Sequence, residues 1–125
     1  MDKKRILVVD DEEAFTRVVR INLEESYQVR VENTGRNIVD VVRSFCPDLI
    51  MMDVMMPDID GCEVVRKLKE EKLLNDIPVV FITALVGKSK SENTKTSVND
   101  YPCLAKPVSL EDLIQCIQKH LKKTR

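Results

Sequence analysis

The chain has 125 residues, 43% of them hydrophobic and 33% charged, with a formal net charge of −1. That length suits a single domain, residues 1–125, with room for a real core, and the balanced charge offers no electrostatic grip on nucleic acid or an anionic membrane. No apolar run approaches the ~20 residues that a membrane span requires, and Met1-Asp2-Lys3-Lys4-Arg5 leads into no signal-peptide apolar region.

The first element is the run Arg5-Ile6-Leu7-Val8-Val9, which ends at Asp10-Asp11. Residues 12–26 then carry Phe15, Val18, Val19 and Leu23 at helical spacing. Residues 28–32 alternate Val29 and Val31 with polar neighbours, which suits a less buried strand. Thr34-Gly35 breaks the chain before a second helical stripe, Ile38, Val41, Val42 and Phe45, which Pro47 stops. Leu49-Ile50-Met51-Met52 runs into Asp53, and Gly61 opens a helix with Val64, Val65 and Leu68 facing inward. Ile77-Pro78-Val79-Val80-Phe81-Ile82 runs into Thr83, and Cys103-Leu104-Ala105 into Lys106-Pro107. The last helix presents Leu110, Leu113, Ile114, Ile117 and Leu121 on one face, with Ser109 and Asp112 spaced for an N-terminal cap.

Short apolar runs separated by helical segments read as buried parallel strands, and right-handed crossovers place helices on both faces of the sheet. The expected class is therefore α/β, a fivefold β-α repeat. Residues 87–99 resist the pattern. They are rich in Ser, Thr, Asn and Lys, with Val98 the only aliphatic residue. The repeat requires a fourth helix here, and the composition suggests a short or irregular one. An ordinary helix held by its ends is the alternative.

Cys46, Cys62, Cys103 and Cys116 form no C-x-x-C pair, and His120 is the only histidine. Zinc and disulfide readings are weak, and a reduced, cytoplasmic setting fits better.

The polar residues at the strand ends carry the chemistry. In an open parallel sheet, ligands bind beyond the carboxyl ends of the strands. Three acids, a hydroxyl and an ammonium should converge there, which describes a Mg²⁺ site beside a nucleophilic carboxylate. A carboxylate that attacks a phosphoryl group becomes an acyl phosphate, provided that the phosphoryl charge is neutralised and the nucleophile is held in line. Mg²⁺ prefers hard oxygen ligands. Asp10, Asp11 and Asp53 can supply them, Lys106 a fixed positive charge, and Thr83 a hydrogen bond.

At these residues the chain resembles the receiver domain of two-component response regulators. The signals are Val8-Val9-Asp10-Asp11, Pro47 through Asp53, Met56-Pro57, Asp60-Gly61, Thr83-Ala84 and Lys106-Pro107. Asp53 lies 30 residues before Thr83, which lies 23 before Lys106. The resemblance covers nearly the whole chain. It implies a flavodoxin-like, doubly wound parallel sheet of order 2-1-3-4-5 and a Mg²⁺-dependent phosphoryl-accepting switch rather than an enzyme acting on other substrates. It makes Asp53 the phosphoacceptor, Thr83 the switch hydroxyl and Lys106 the phosphate-pairing lysine. Asp10, Asp11, Asp53 and the backbone carbonyl of Met55 become the metal ligands. The implied donor is a sensor histidine kinase or a histidine phosphotransfer protein, and the output an unidentified protein effector. A monomer is expected, because two arginine positions of the family's dimer face hold Cys116 and Gln118, and direct nucleic-acid contact is not expected, because the 125 residues offer no DNA-binding segment.

Two other classes fit less well. A phosphatase of the haloacid dehalogenase type needs a second Asp two residues after its nucleophile, and counting from Asp10 that position is Glu12. A flavodoxin-like carrier needs a phosphate loop where Asp10-Asp11-Glu12-Glu13 would repel a flavin phosphate. The chain also departs from the resemblance at the polar 87–99 segment, where the family has its fourth helix, and just before the lysine. Many receivers carry an aromatic residue three before the lysine, where this chain has Cys103. Tyr101 lies two residues earlier, beyond Pro102, and is not expected to substitute directly.

Overall fold

The computed structural model describes residues 3–83, 97–98 and 101–122. Its strands are β1 Arg5–Val9, β2 Gln28–Glu32, β3 Leu49–Asp53, β4 Met55–Met56, β5 Ile59–Asp60, β6 Val79–Thr83, β7 Ser97–Val98 and β8 Tyr101–Ala105. Its helices among the described residues are α1 Glu13–Leu23, α2 Ile38–Phe45, α3 Gly61–Lys69 and α4 Leu110–Lys122. The expected irregular fourth helix in residues 87–99 falls outside the described residues, apart from Ser97 and Val98.

The main sheet has the order β2-β1-β3-β6-β8-β7. Its first five members run parallel, as a flavodoxin-like fold requires. The sixth, β7, pairs antiparallel with β8 and lies at the edge, an addition that the apolar runs did not signal. Every residue of β3 and β6 is buried. That is the usual condition of a parallel strand covered by helices on both sides, and it explains the unbroken apolar runs. The edge strand β2 is exposed or half-buried instead, in keeping with its alternating composition.

Successive strand residues face opposite sides. Leu7, Val9, Ile50, Met52, Val79 and Phe81 pack with α2 and α3 on one side. Ile6, Val8, Leu49, Met51, Val80 and Ile82 pack with α1 and α4 on the other. Burying each such side chain contributes about 1.5–3 kcal/mol.

Helix faces follow their stripes with two exceptions, Val18 on α1 and Leu110, which opens α4 at the surface and is 38% exposed. On α1 the buried residues are Thr16, Val19 and Leu23, while Val18 is 54% exposed. Thr16 holds its buried place because its hydroxyl donates to the Glu13 carbonyl and accepts from Asn33. Helix α2 ends at Cys46, which adopts a left-handed conformation with φ 54°. On α4 the Ser109 hydroxyl accepts from the Asp112 N–H at 3.0 Å, the expected cap. His120 is half-buried, and its Nδ1 donates to the Cys116 carbonyl at 2.9 Å. Strand β8 begins two residues before the apolar run, so Tyr101 and Cys103 fall on the same side and pack against the same cluster. The Tyr101 ring meets Phe81 edge-on at 5.8 Å, with the Lys69 ammonium 5.6 Å from its centroid.

Candidate functional site

Backbone bonds bring the strand-end residues to one edge. Asp10 N–H donates to the Glu32 carbonyl at 3.0 Å, Val54 N–H to Ile82 at 3.0 Å, and Lys106 N–H to Thr83 at 2.9 Å. Asp53 is in register with Ile82, one residue before Thr83. The polar residues therefore sit where the apolar runs stop, because a run can continue only while both sheet faces are covered. Asp10, Asp53 and Thr83 are buried, at 0%, 5% and 2% exposure. Asp11 is exposed.

Turns complete the site. The segment after Asp53 forms a small antiparallel hairpin, β4 with β5. Its first N–H, from Met55, donates to Asp53 Oδ1 at 3.0 Å. Asp60 caps α3 by accepting from the Cys62 N–H at 2.9 Å. A Cβ on Gly61 would lie 2.9 Å from the Asp53 carbonyl oxygen and 3.2 Å from Val54 Cα. Only glycine lets α3 begin this close to the strand that carries Asp53. On the other side Asn33 donates to the Asp10 carbonyl at 2.8 Å, tying β2 to the first loop.

Lys106 is the hub. Its ammonium lies 2.8 Å from Asp10 Oδ2, 2.9 Å from Glu12 Oε1 and 3.6 Å from Asp53 Oδ2. It also sits 5.2 Å from the centre of the Phe15 ring. Burial works to lower its pKa, but the close contacts with Asp10 and Glu12, with the charge of Asp53, raise it above the usual lysine value. Lys106 is therefore a permanent cation. Asp53 moves upward as well. Burial is the main cause, and the charges of Asp10 and Asp11 add to it, against the opposing Met55 N–H and Lys106. Lys106 fails to reverse the shift because it lies nearer to two other carboxylates.

Asp10, Asp11 and Asp53 can each place an oxygen within 4.8 Å of the others. Two oxygens on opposite sides of a Mg²⁺ ion lie about 4.2 Å apart, so this spacing is compatible with that ion. Asp10 supplies a second observation. Its Oδ1 accepts from the Glu12 N–H at 2.9 Å. Its buried Oδ2 has no hydrogen-bond partner. The Lys106 ammonium is close enough for an ion pair, but its direction leaves that lone pair unaligned. A buried oxygen without an aligned donor, in an all-oxygen acidic set, is what a hard cation requires. These residues fit Mg²⁺.

Of the residues singled out from sequence, Asp10, Asp11, Asp53 and Lys106 converge directly. Thr83 lies at the same edge, joined to Lys106 through the backbone. Met55 reaches the site through its N–H. Sequence reasoning missed the Glu12–Lys106 contact, whose partners are 94 residues apart. Nothing in the local pattern of an exposed helix-start glutamate signals such a partner.

Residues 6–118 match the family model described as the response regulator receiver domain. The polar-differentiation response regulator DivK of Brucella ovis is 31% identical over 94% of this chain and 96% of its own length. The response regulator MprA of Mycolicibacterium vanbaalenii is 36% identical over 96% of this chain but only 51% of its own. The chain thus spans about half of some relatives it matches. The crystal structure of a CheY-like response regulator receiver domain protein from Methanospirillum hungatei superposes with a TM-score of 0.80 at 26% identity, covering 98% of this chain and 97% of that one.

Proposed function

The chain belongs to the response regulator receiver family, a family of phosphoryl-accepting signalling switches, and from that premise we propose that Asp53 is the residue that accepts the phosphoryl group. The observation that carries this reading is the setting of the Asp53 carboxylate. It is buried, held at Oδ1 by the Met55 N–H, and faces the Lys106 ammonium at 3.6 Å through Oδ2. The donor is the phosphohistidine of a sensor histidine kinase or histidine phosphotransfer protein. A carboxylate oxygen of Asp53 forms the new bond to phosphorus as the phosphorus–nitrogen bond to the imidazole breaks, and the imidazole nitrogen keeps the electron pair.

Asp10, Asp11, Asp53 and the Met55 carbonyl would hold Mg²⁺, which would supply positive charge to the phosphoryl oxygens. Lys106 supplies a second, fixed charge, and burial of Asp53 limits water at the acyl phosphate. Thr83 donates its hydroxyl to a phosphoryl oxygen, and this shifts the loop after β3. The domain catalyses only its own phosphorylation and dephosphorylation. It acts in the cytoplasm as a monomer and signals to a protein effector rather than to nucleic acid.

Intact-mass measurement after treatment with acetyl phosphate and Mg²⁺ tests the acceptor. The wild-type chain should gain the mass of one phosphoryl group and Asp53→Asn none, because the amide is nearly isosteric but a poor nucleophile. Equal labelling of the Asn variant would overturn the assignment.

A further inference from the structure

We propose that Glu12 is a positioning residue that holds the Lys106 ammonium away from Asp53 until a phosphoryl group draws it across. The inference rests on the reading of Asp53 as the acceptor.

Lys106 has three N–H donors to place. Its one well-formed side-chain hydrogen bond among the described residues goes to Glu12, at 2.9 Å. The contact with Asp10 is closer but misaligned, and Asp53 at 3.6 Å lies beyond hydrogen-bond range. The ammonium is thus drawn toward the start of α1, over the Phe15 ring.

Glu12 has no other described task for its carboxylate. It occupies the N-cap position of α1, yet its side chain makes no cap hydrogen bond there. Its backbone serves the helix through the carbonyl, which accepts from the Phe15 and Thr16 N–H groups, and a substitution leaves those bonds in place. The two partners also differ in exposure. The Lys106 side chain is 16% exposed and that of Glu12 60%. A carboxylate this exposed returns to water at little cost, whereas Asp10, at 0%, cannot. Glu12 is therefore the releasable member of the cluster. A phosphoryl group on Asp53 brings more negative charge than the carboxylate it replaces. Lys106 then leaves Glu12 for the phosphoryl oxygens, and the strength of the Glu12 contact sets how much of the phosphoryl interaction is offset.

The test uses beryllofluoride with Mg²⁺ as the phosphoryl mimic, with binding followed by ¹⁹F NMR. Glu12→Gln should bind the mimic about two- to fivefold more tightly than wild type, the range expected for loss of a partly exposed ion pair. Glu12→Asp keeps the charge but shortens the arm by one methylene, so it should tighten binding to a similar degree. Unchanged affinity in Glu12→Gln overturns the proposal. So does a Glu12→Asp variant that matches wild type while Glu12→Gln tightens, because the effect would then be through-space repulsion rather than a direct hold. Failure of the wild-type chain to bind the mimic overturns the reading of Asp53 instead.

Discussion

At the residue scale, the site is a balance of charges in which Asp53 is buried with only a shared cation beside it. Burial raises the Asp53 pKa, and the nearest cation is shared with Asp10 and Glu12. The sign of the linkage follows. A carboxyl whose folded pKa lies above its ordinary value of 3.8 holds its proton longer in the folded state than in the unfolded one. Stability is therefore lost as pH rises from 3.8 through the raised folded value, and the loss is complete above it. In metal-free buffer, urea midpoints of wild type should fall relative to those of Asp53→Asn across that window. The difference should then stay constant up to neutral pH, with Asp53→Asn the more stable protein. Parallel curves for the two proteins would show that Asp53 is not the strained carboxylate.

At the element scale, two backbone positions carry the local argument. Cys46 ends α2 in a left-handed conformation, φ 54° and ψ 61°, while its N–H bonds back to the Val42 carbonyl. A Cβ makes that conformation unfavourable by about 1 kcal/mol, and glycine removes the penalty. Cys46→Gly should raise the urea midpoint with an unchanged slope, a gain of roughly 0.5–1 kcal/mol.

Gly61 presents the opposite case. Its missing Cβ leaves room for the Asp53 carbonyl and Val54, backbone atoms that cannot turn aside as a side chain can. Gly61→Ala should cost about 1–3 kcal/mol in stability. It should also slow labelling by acetyl phosphate, since the shift falls on the strand that carries Asp53, the proposed acceptor. A variant with wild-type labelling and stability would show that α3 has slack at its start.

At the scale of the whole molecule, one sheet serves two cores. The strand residues facing α2 and α3 alternate with those facing α1 and α4, so neither layer has a strand set of its own. The site lies where both layers end, and the cores meet only through shared backbone. Leu113 on α4 is 2% exposed and packs against the cluster that contains Ile82. Leu113→Ala should destabilise the chain by about 2–5 kcal/mol. Because the sheet is common, it should do so as one cooperative transition by circular dichroism rather than by melting the α1 and α4 layer alone. Two separate transitions would refute that coupling.

The sequence by itself determined the alternation of elements, the parallel class and the residues of the site's edge. A strand covered on both faces must be apolar along its length, so the point where polarity returns marks the strand end, and with it Asp10, Asp53, Thr83 and Lys106. Buried stripes on α2 and α3 were legible for the related reason that a helix must cover the sheet. Features that obey no hydropathy rule were left to the tertiary structure. Thr16 displaces Val18 from the buried face of α1 because Asn33, on a loop beyond β2, completes its hydrogen bonding. Cys46 is left-handed without a glycine to announce it. Strand β7 and the Met55–Asp60 hairpin are too short to produce a pattern. The contact of Glu12 with Lys106 joins two chain ends through register alone. Exposed charges leave no periodic trace in the sequence, and their partners are decided only when the strands align.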